Sequence, residues 1–174
     1  QENFNLAYMC MKRFVNNKKI TYQKYIDFSG VTRRCQKVYE NDNLVLYNDF
    51  GHHPTELLTV IKAILQEYRG RKLAVIWEPN RKGRTYYFHK EYSEALKIAK
   101  KVFVYKTYKE NGIDLDEYFE KLEFCGKKYV YVDTEQELKN KLKEEIYNYG
   151  IYIVFSANKY NNLVNYVKEV LSNG

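Results

Sequence analysis

Two adjacent imidazoles, a carboxylate and a group of guanidinium side chains are the residues of this chain best suited to chemistry. Asp49, His52 and His53 lie in Asp49-Phe50-Gly51-His52-His53-Pro54-Thr55-Glu56, and Arg81, Lys82 and Arg84 lie between Glu78 and Thr85. Imidazoles and a carboxylate hold or accept protons, while a guanidinium fork matches the two oxygens of a carboxylate or phosphate. Pro54 suits the first turn of a helix, Gly51 relaxes the backbone before it, and Glu56 favours the positive helix end. Structural roles stand beside these: Asp49 and His53 can simply cap that helix, and the arginines can form an ordinary solvated loop. No metal site is expected. Adjacent side chains diverge, and no third ligand stands at metal-site spacing from His52 and His53. The residues alone therefore point to a cleft for something anionic and polar.

Missing motifs narrow the chemistry further. The chain contains no GxxxxGK[ST] phosphate loop, no GxGxxG fingerprint and no GxSxG elbow. It is therefore expected to cradle no nucleoside triphosphate by those devices.

The elements that must position these residues follow from the hydrophobic pattern. Five short apolar or β-branched runs begin at Leu44, Leu73, Val102, Tyr129 and Ile151, 22 to 29 residues apart. Helical periodicity separates several of them: Leu57, Leu58, Ile61, Ile64 and Leu65; Phe88, Tyr92, Ala95, Leu96 and Ala99; Leu138, Leu142 and Ile146. A last helix is expected through Leu163, Val167 and Leu171. Short strands alternating with helices predict a Rossmann-like three-layer α/β domain with a mostly parallel sheet of five to six strands. QKVYE and LVLY, joined by Asn41-Asp42-Asn43, predict a hairpin leading into that sheet. In such sheets ligands bind beyond the carboxyl ends of the strands, where both loaded segments fall. Residues 1–29 read instead as two helices, NFNLAYMCMKRFV and TYQKYIDF, ending a preceding domain; a boundary at Gly30 leaves 30–174 as the α/β domain.

Bulk properties exclude several classes. With 174 residues, 45% hydrophobic and 29% charged, the chain is expected to be globular and cytoplasmic. No apolar run approaches the about 20 residues that span a bilayer, and the first residues lack the layout of a signal peptide. A net charge of +7 raises nucleic-acid binding, but the lysines alternate with acidic residues, as on a solvated helix face, so neither nucleic acid nor membrane is expected as a partner. Three cysteines, Cys10, Cys35 and Cys125, are widely spaced and read as reduced thiols.

Several motifs together resemble the Mur ligase family. FSGVTRRCQKVYE (Phe28 to Glu40) is similar to the junction pattern F-x-G-x-x-R-R-F, and YNDFGHHPTE to the signature D-D-Y-G-H-H-P-T-E. IWEPNRKGRT (Ile76 to Thr85) is similar to F-Q-P-H-R-x-T-R-T, with Arg81 and Arg84 on its two arginines. NFNLA resembles the helix that closes the family's central domain and places Asn5 on a family asparagine. These signatures match best the branch that adds L-alanine to UDP-N-acetylmuramate. The resemblance implies an ATP-dependent, amide-forming ligase using ATP and Mg²⁺ in the full-length protein, with UDP-N-acetylmuramate and an amino acid or peptide as partners. It also implies missing amino-terminal and central domains, so this fragment alone is expected to be inactive, to hold no complete set of catalytic residues and to bind no cofactor.

By the same resemblance Arg34, Asp49 and Asn5 are nucleotide-binding, and His52, His53, Arg81 and Arg84 are substrate-binding. Four departures are present: Cys35 for an aromatic, Asn80 for a histidine, Glu78-Pro79 as in the branch that recycles a murein tripeptide, and SANKYNNL (Ser156 to Leu163) for a G-A-G-x-I turn. The third leaves tripeptide recycling as an alternative. The last leaves open a diverged, non-catalytic ligand-binding relative.

Overall fold

The structure is a computed structural model that describes residues 2–14, 23, 30–105, 129–158 and 162–173. The chain divides into two compact units, Gln1–Thr32 and Arg33–Gly174. In the first, α1 (Glu2–Phe14) carries its two basic residues, Lys12 and Arg13, in its last turn, where they complement the negative helix end. The second expected helix, TYQKYIDF, falls outside the described residues apart from Gln23.

The second unit is built on one six-stranded sheet in the order β1-β2-β6-β3-β4-β5. Its strands are β1 (Gln36–Glu40), β2 (Val45–Asp49), β3 (Leu73–Trp77), β4 (Lys101–Tyr105), β5 (Tyr129–Val132) and β6 (Ile151–Phe155). Among the described strands only β1 runs antiparallel, joined to β2 through a tight turn in which Asn41 Oδ1 accepts from the Asn43 and Leu44 amides. The hairpin and the mostly parallel sheet are those the sequence predicts. All residues of β2, β3 and β6 are buried, which is why β3 and β6 read as continuous apolar runs rather than as alternations, while β2 ends in the buried polar pair Asn48 and Asp49.

Helices cover both faces. Against one face lie α2 (Pro54–Glu67) and α4 (His89–Leu96), with Leu57, Ile61, Ile64, Tyr92 and Leu96 packed on Val75, Trp77, Ile153 and Phe155. On the other lie α5 (Glu135–Glu145) and α6 (Leu163–Ser172), with Leu138, Leu142, Val167 and Val170 packed on Leu46, Ile76, Phe103 and Val154. Odd-numbered positions of β3 therefore face one helical layer and even-numbered ones the other, as period-two geometry demands. No helix among the described residues is long and apolar enough to cross a membrane.

Two local features differ from expectation. Arg81-Lys82-Gly83-Arg84 is not an open loop: Arg81 is the N-cap of a short helix, α3 (Lys82–Tyr87). The helical periodicity from Phe88 to Ala99 corresponds to α4 alone, which ends at Leu96, and Phe88 joins it to α3, which the sequence does not reveal because a short polar stretch gives no apolar stripe.

Candidate functional site

Topology decides where ligands can enter. The chain leaves β2 and β3 toward the layer of α2 and α4, but leaves β6, which lies between them, toward α6. Neighbouring loops thus diverge at the carboxyl ends of β2, β6 and β3, the switch point at which such sheets form a ligand crevice. Three buried polar side chains line up there: Asp49 (3% exposed) on β2, Ser156 (3%) after β6 and Glu78 (4%) after β3. Backbone bonds bind the three ends together, Ser156 N donating to Asp49 O at 3.1 Å and Glu78 N to Phe155 O at 2.9 Å. Across the crevice the Ser156 hydroxyl donates to Glu78 Oε2.

Asp49 does not cap the following helix. Its Oδ1 accepts from the Gly51 amide and its Oδ2 from the Cys35 amide, each at 2.6 Å. Burial raises the Asp49 carboxyl above its ordinary range, against the opposing pull of those two amides and of Arg34. A buried carboxyl whose ionisation is disfavoured by desolvation and favoured by specific donors marks a functional-site candidate. Gly51 is needed beside it, since a Cβ at that position would fall 2.6 Å from Asp49 Oδ1.

His53 takes the capping role, Nδ1 accepting from the Thr55 amide at 3.4 Å. Glu56 reaches back to the His52 and His53 amides at 2.9 and 3.0 Å, which completes a capping box around Pro54. Burial opposes ionisation of Glu56, but those amides, with His52 and Arg34 nearby, hold its carboxyl below its ordinary range. The His52 carbonyl accepts from the Tyr92 hydroxyl at 2.5 Å, and the His53 ring meets Phe88 edge-on at 4.8 Å. The first contact ties the histidine segment to α4, and the second ties it to the carboxyl end of α3, the helix whose N-cap is Arg81 and which carries Arg84.

Arg34 reaches the same place from the other side. Its Nη1 is 3.8 Å from Glu56 Oε1, and its guanidinium lies 5.4 Å from the centre of the Phe50 ring. The residues on either side of it are unusual: Arg33 and Cys35 have φ of +59° and +45°, a region that costs side-chain-bearing residues about 1–3 kcal/mol each. Tertiary bonds hold that conformation, Phe50 N donating to Arg33 O at 2.7 Å and Arg33 N to Gln36 Oε1 at 2.9 Å. Partial burial of the Cys35 thiol, then the charges of Asp49 and Glu67, push it up to about 11, which makes it a weaker nucleophile than a free thiol at neutral pH.

Of the residues singled out from sequence, Arg34, Asp49, His52 and His53 form one connected group. Arg81 is exposed at the start of α3, and Arg84 is half-buried one turn on, with Nη1 buried and without a hydrogen-bond partner among the described residues. Asn5 belongs to the other compact unit, on α1. Sequence reasoning passed over Arg33 as a contact residue. Its Nη2 donates to the Ser156 carbonyl at 2.5 Å and the Asn158 carbonyl at 3.1 Å, partners 123 and 125 residues away. The doubled arginine of GVTRR was the available signal, but nothing local distinguishes which of the pair turns inward. Among the described residues no group of three His, Cys, Asp or Glu side chains is placed to hold a metal ion.

A doubly wound α/β sheet with a buried carboxylate, a capping imidazole and several guanidinium groups near the carboxyl ends of its strands defines a domain of Rossmann-like type. The family described as Mur ligase, glutamate ligase domain, matches residues 33–158, and the chain belongs to that family. It is 30% identical over 120 residues to a UDP-N-acetylmuramate--L-alanine ligase from Hydrogenobaculum, covering 67% of this chain and 27% of the relative. To the enzyme of that name from Carboxydothermus hydrogenoformans it is 28% identical, covering 74% and 28%. The chain thus spans little more than a quarter of the length of the curated relatives it matches.

Solved structures agree on the fold. A UDP-N-acetylmuramate-alanine ligase from Thermotoga maritima superposes with a TM-score of 0.70 at 17% identity, over 95% of this chain and 35% of that one. A domain of a putative UDP-N-acetylmuramate:L-alanyl-γ-D-glutamyl-diaminopimelate ligase from Haemophilus ducreyi superposes at 0.59 and 18% identity, over 80% of this chain and 98% of its own length.

Proposed function

We propose that this chain is the carboxy-terminal part of a cytoplasmic, ATP-dependent ligase that joins L-alanine to UDP-N-acetylmuramate, and that it acts only together with the domains preceding it. The observation that carries the reading is Arg84, whose buried Nη1 is left without a protein partner among the described residues, on the helix tied to the histidine segment. An unpaired buried guanidinium nitrogen is costly, and the carboxylate of an acceptor amino acid would satisfy it. The names of the matching relatives support that acceptor and the sugar nucleotide.

In this reading Arg81 and Arg84 fix the acceptor carboxylate, so that its amine faces the activated muramyl carboxyl. His52 and His53 line the gap between domains, held rigid by Glu56. Arg34 and Asp49 meet the ribose and phosphates of ATP, and Asn5, in the residues 1–29 that this reading assigns to the end of the preceding domain, is assigned to nucleotide binding as well. ATP supplies the phosphoryl group that activates the carboxylate, and Mg²⁺ neutralises charge on it. The two carboxylates nearest the crevice already accept protein donors, so the metal ligands of this reading come from the missing domains. Closure of those domains over the edge excludes water from an acyl phosphate that water would hydrolyse.

The test uses the full-length protein with UDP-N-acetylmuramate, ATP, Mg²⁺ and L-alanine. Phosphate release that depends on L-alanine is expected, and Arg84→Ala raises the KM for L-alanine by about 10- to 100-fold through loss of a charge-assisted bond. Absence of L-alanine-dependent product in the unsubstituted protein overturns the reading. A second reading, recycling of L-alanyl-γ-D-glutamyl-meso-diaminopimelate, draws on Glu78-Pro79. Competition between that tripeptide and L-alanine as acceptors separates the two.

A further inference from the structure

We propose that Arg33 is a positioning residue that latches the turn after β6 and thereby keeps the acceptor wall of the crevice in register with its nucleotide wall. The inference rests on the ligase reading for what the two walls hold, but the latch itself is geometric. Arg33 leaves the chain at a left-handed backbone position, with its carbonyl taken by Phe50 N and its amide by Gln36 Oε1. With both ends of the residue tied down, the guanidinium lies 4.9 Å from the centre of the Phe50 ring and grips the Ser156 and Asn158 carbonyls with one nitrogen. A cation donating to two carbonyls two residues apart selects a single turn conformation.

That turn is the hub of the crevice. Ser156 N bonds the carbonyl of Asp49 on one side, and Ser156 Oγ bonds the Glu78 carboxylate on the other. Glu78 begins the segment that leads through Arg81 into α3 and Arg84. Turns that approach neighbouring chains closely are ordinarily built with glycine. Here the segment from Ser156 to Asn158 has none, and side-chain bonds from Arg33 supply the restraint. On the nucleotide side Asp49 is anchored separately, by the Cys35 and Gly51 amides, which Arg33's guanidinium does not touch. Loss of the guanidinium therefore loosens the acceptor wall directly, and reaches the nucleotide wall only through the Ser156 N–Asp49 O bond and the Phe50 ring, where the side-chain anchors of Asp49 remain.

The experiment compares Arg33→Ala and Arg33→Lys with the unsubstituted full-length protein, by steady-state kinetics and by hydrogen–deuterium exchange. Arg33→Ala is expected to raise the KM for L-alanine about tenfold while that for ATP moves less than about twofold, the loss of charged hydrogen bonds being confined to one wall. Arg33→Lys, which keeps the charge but loses the planar fork, falls between the two. Amides of residues 156–158 exchange faster in Arg33→Ala, with 73–77 as the unchanged reference. Equal rises in both KM values, or unchanged kinetics in an active enzyme, overturn the proposal. An unsubstituted protein that forms no amide sinks the ligase reading instead. The latch is then decided by exchange alone, and unchanged exchange at 156–158 overturns it.

Discussion

Replacing Asp49 separates what its carboxylate does for the fold from what its charge costs. The residue is buried and satisfies two main-chain donors, Cys35 N and Gly51 N. Alanine removes both acceptors. A stranded donor costs about 1–3 kcal/mol, and because Cys35 lies partly open to water the pair sums to about 2–4 kcal/mol. Asparagine keeps one acceptor oxygen but strands the other amide and turns an N–H toward it, a loss partly offset by removal of the buried charge, so Asp49→Asn is expected to cost about 1–2 kcal/mol at neutral pH, less than Asp49→Ala. Urea unfolding followed through Trp77, the single tryptophan, reads both: at about 2 kcal/mol per M, Asp49→Ala lowers the midpoint by about 1–2 M.

The pH dependence carries a definite sign. The folded carboxyl is raised above its unfolded value near 3.8. Such a group contributes stability that is fully present below the unfolded value and is lost as pH climbs through the folded one. Wild type should therefore lose ground to Asp49→Asn on going from acid toward neutral pH. A wild type that gains on Asp49→Asn across that interval, or an asparagine variant as unstable as the alanine one, refutes the account of a charge held against desolvation.

Three further outcomes follow from neighbouring contacts. Gly51→Ala puts a Cβ 2.6 Å from Asp49 Oδ1 and should cost about 1–3 kcal/mol in thermal or urea unfolding, less when Asp49 is also alanine; full additivity would argue against the clash. Glu56→Ala removes the return half of the capping box and should cost about 1 kcal/mol. Because the Glu56 carboxyl is lowered in the fold, that difference is present above its unfolded value and disappears as the protein is acidified, which a pH series of unfolding midpoints checks. Cys35, pushed up to about 11, should react with iodoacetamide at pH 7.5 more than about tenfold slower than a free thiol, and faster in Asp49→Asn; peptide mapping by mass spectrometry measures both.

Much of this molecule is legible locally. LAVIW and IYIVF are apolar at every position because both faces of β3 and β6 are covered, and the stripe from Leu57 to Ile64 is spaced to one side of α2. GHHPTE announces a capped helix start, since Pro54, Glu56 and the residue before them act on their own backbone within four positions. The short α3 was not legible, because a six-residue helix of polar and aromatic residues has no apolar period. Nor was the duty of Asp49, whose amide partners at Cys35 and Gly51 include one 14 residues away.

The amino-acid sequence by itself determined the alternation of strands and helices, the burial of the central strands and the two loaded segments that follow β2 and β3. Periodicity, capping and turn chemistry act over a few residues, so they are written where they act. Tertiary structure alone decided that β6, last in the chain, enters between β2 and β3. That insertion sets Ser156 between Asp49 and Glu78 and brings the Arg33 guanidinium to carbonyls more than 120 residues away. Strand order depends on which buried faces fit across the whole sheet, a long-range choice that no local pattern encodes.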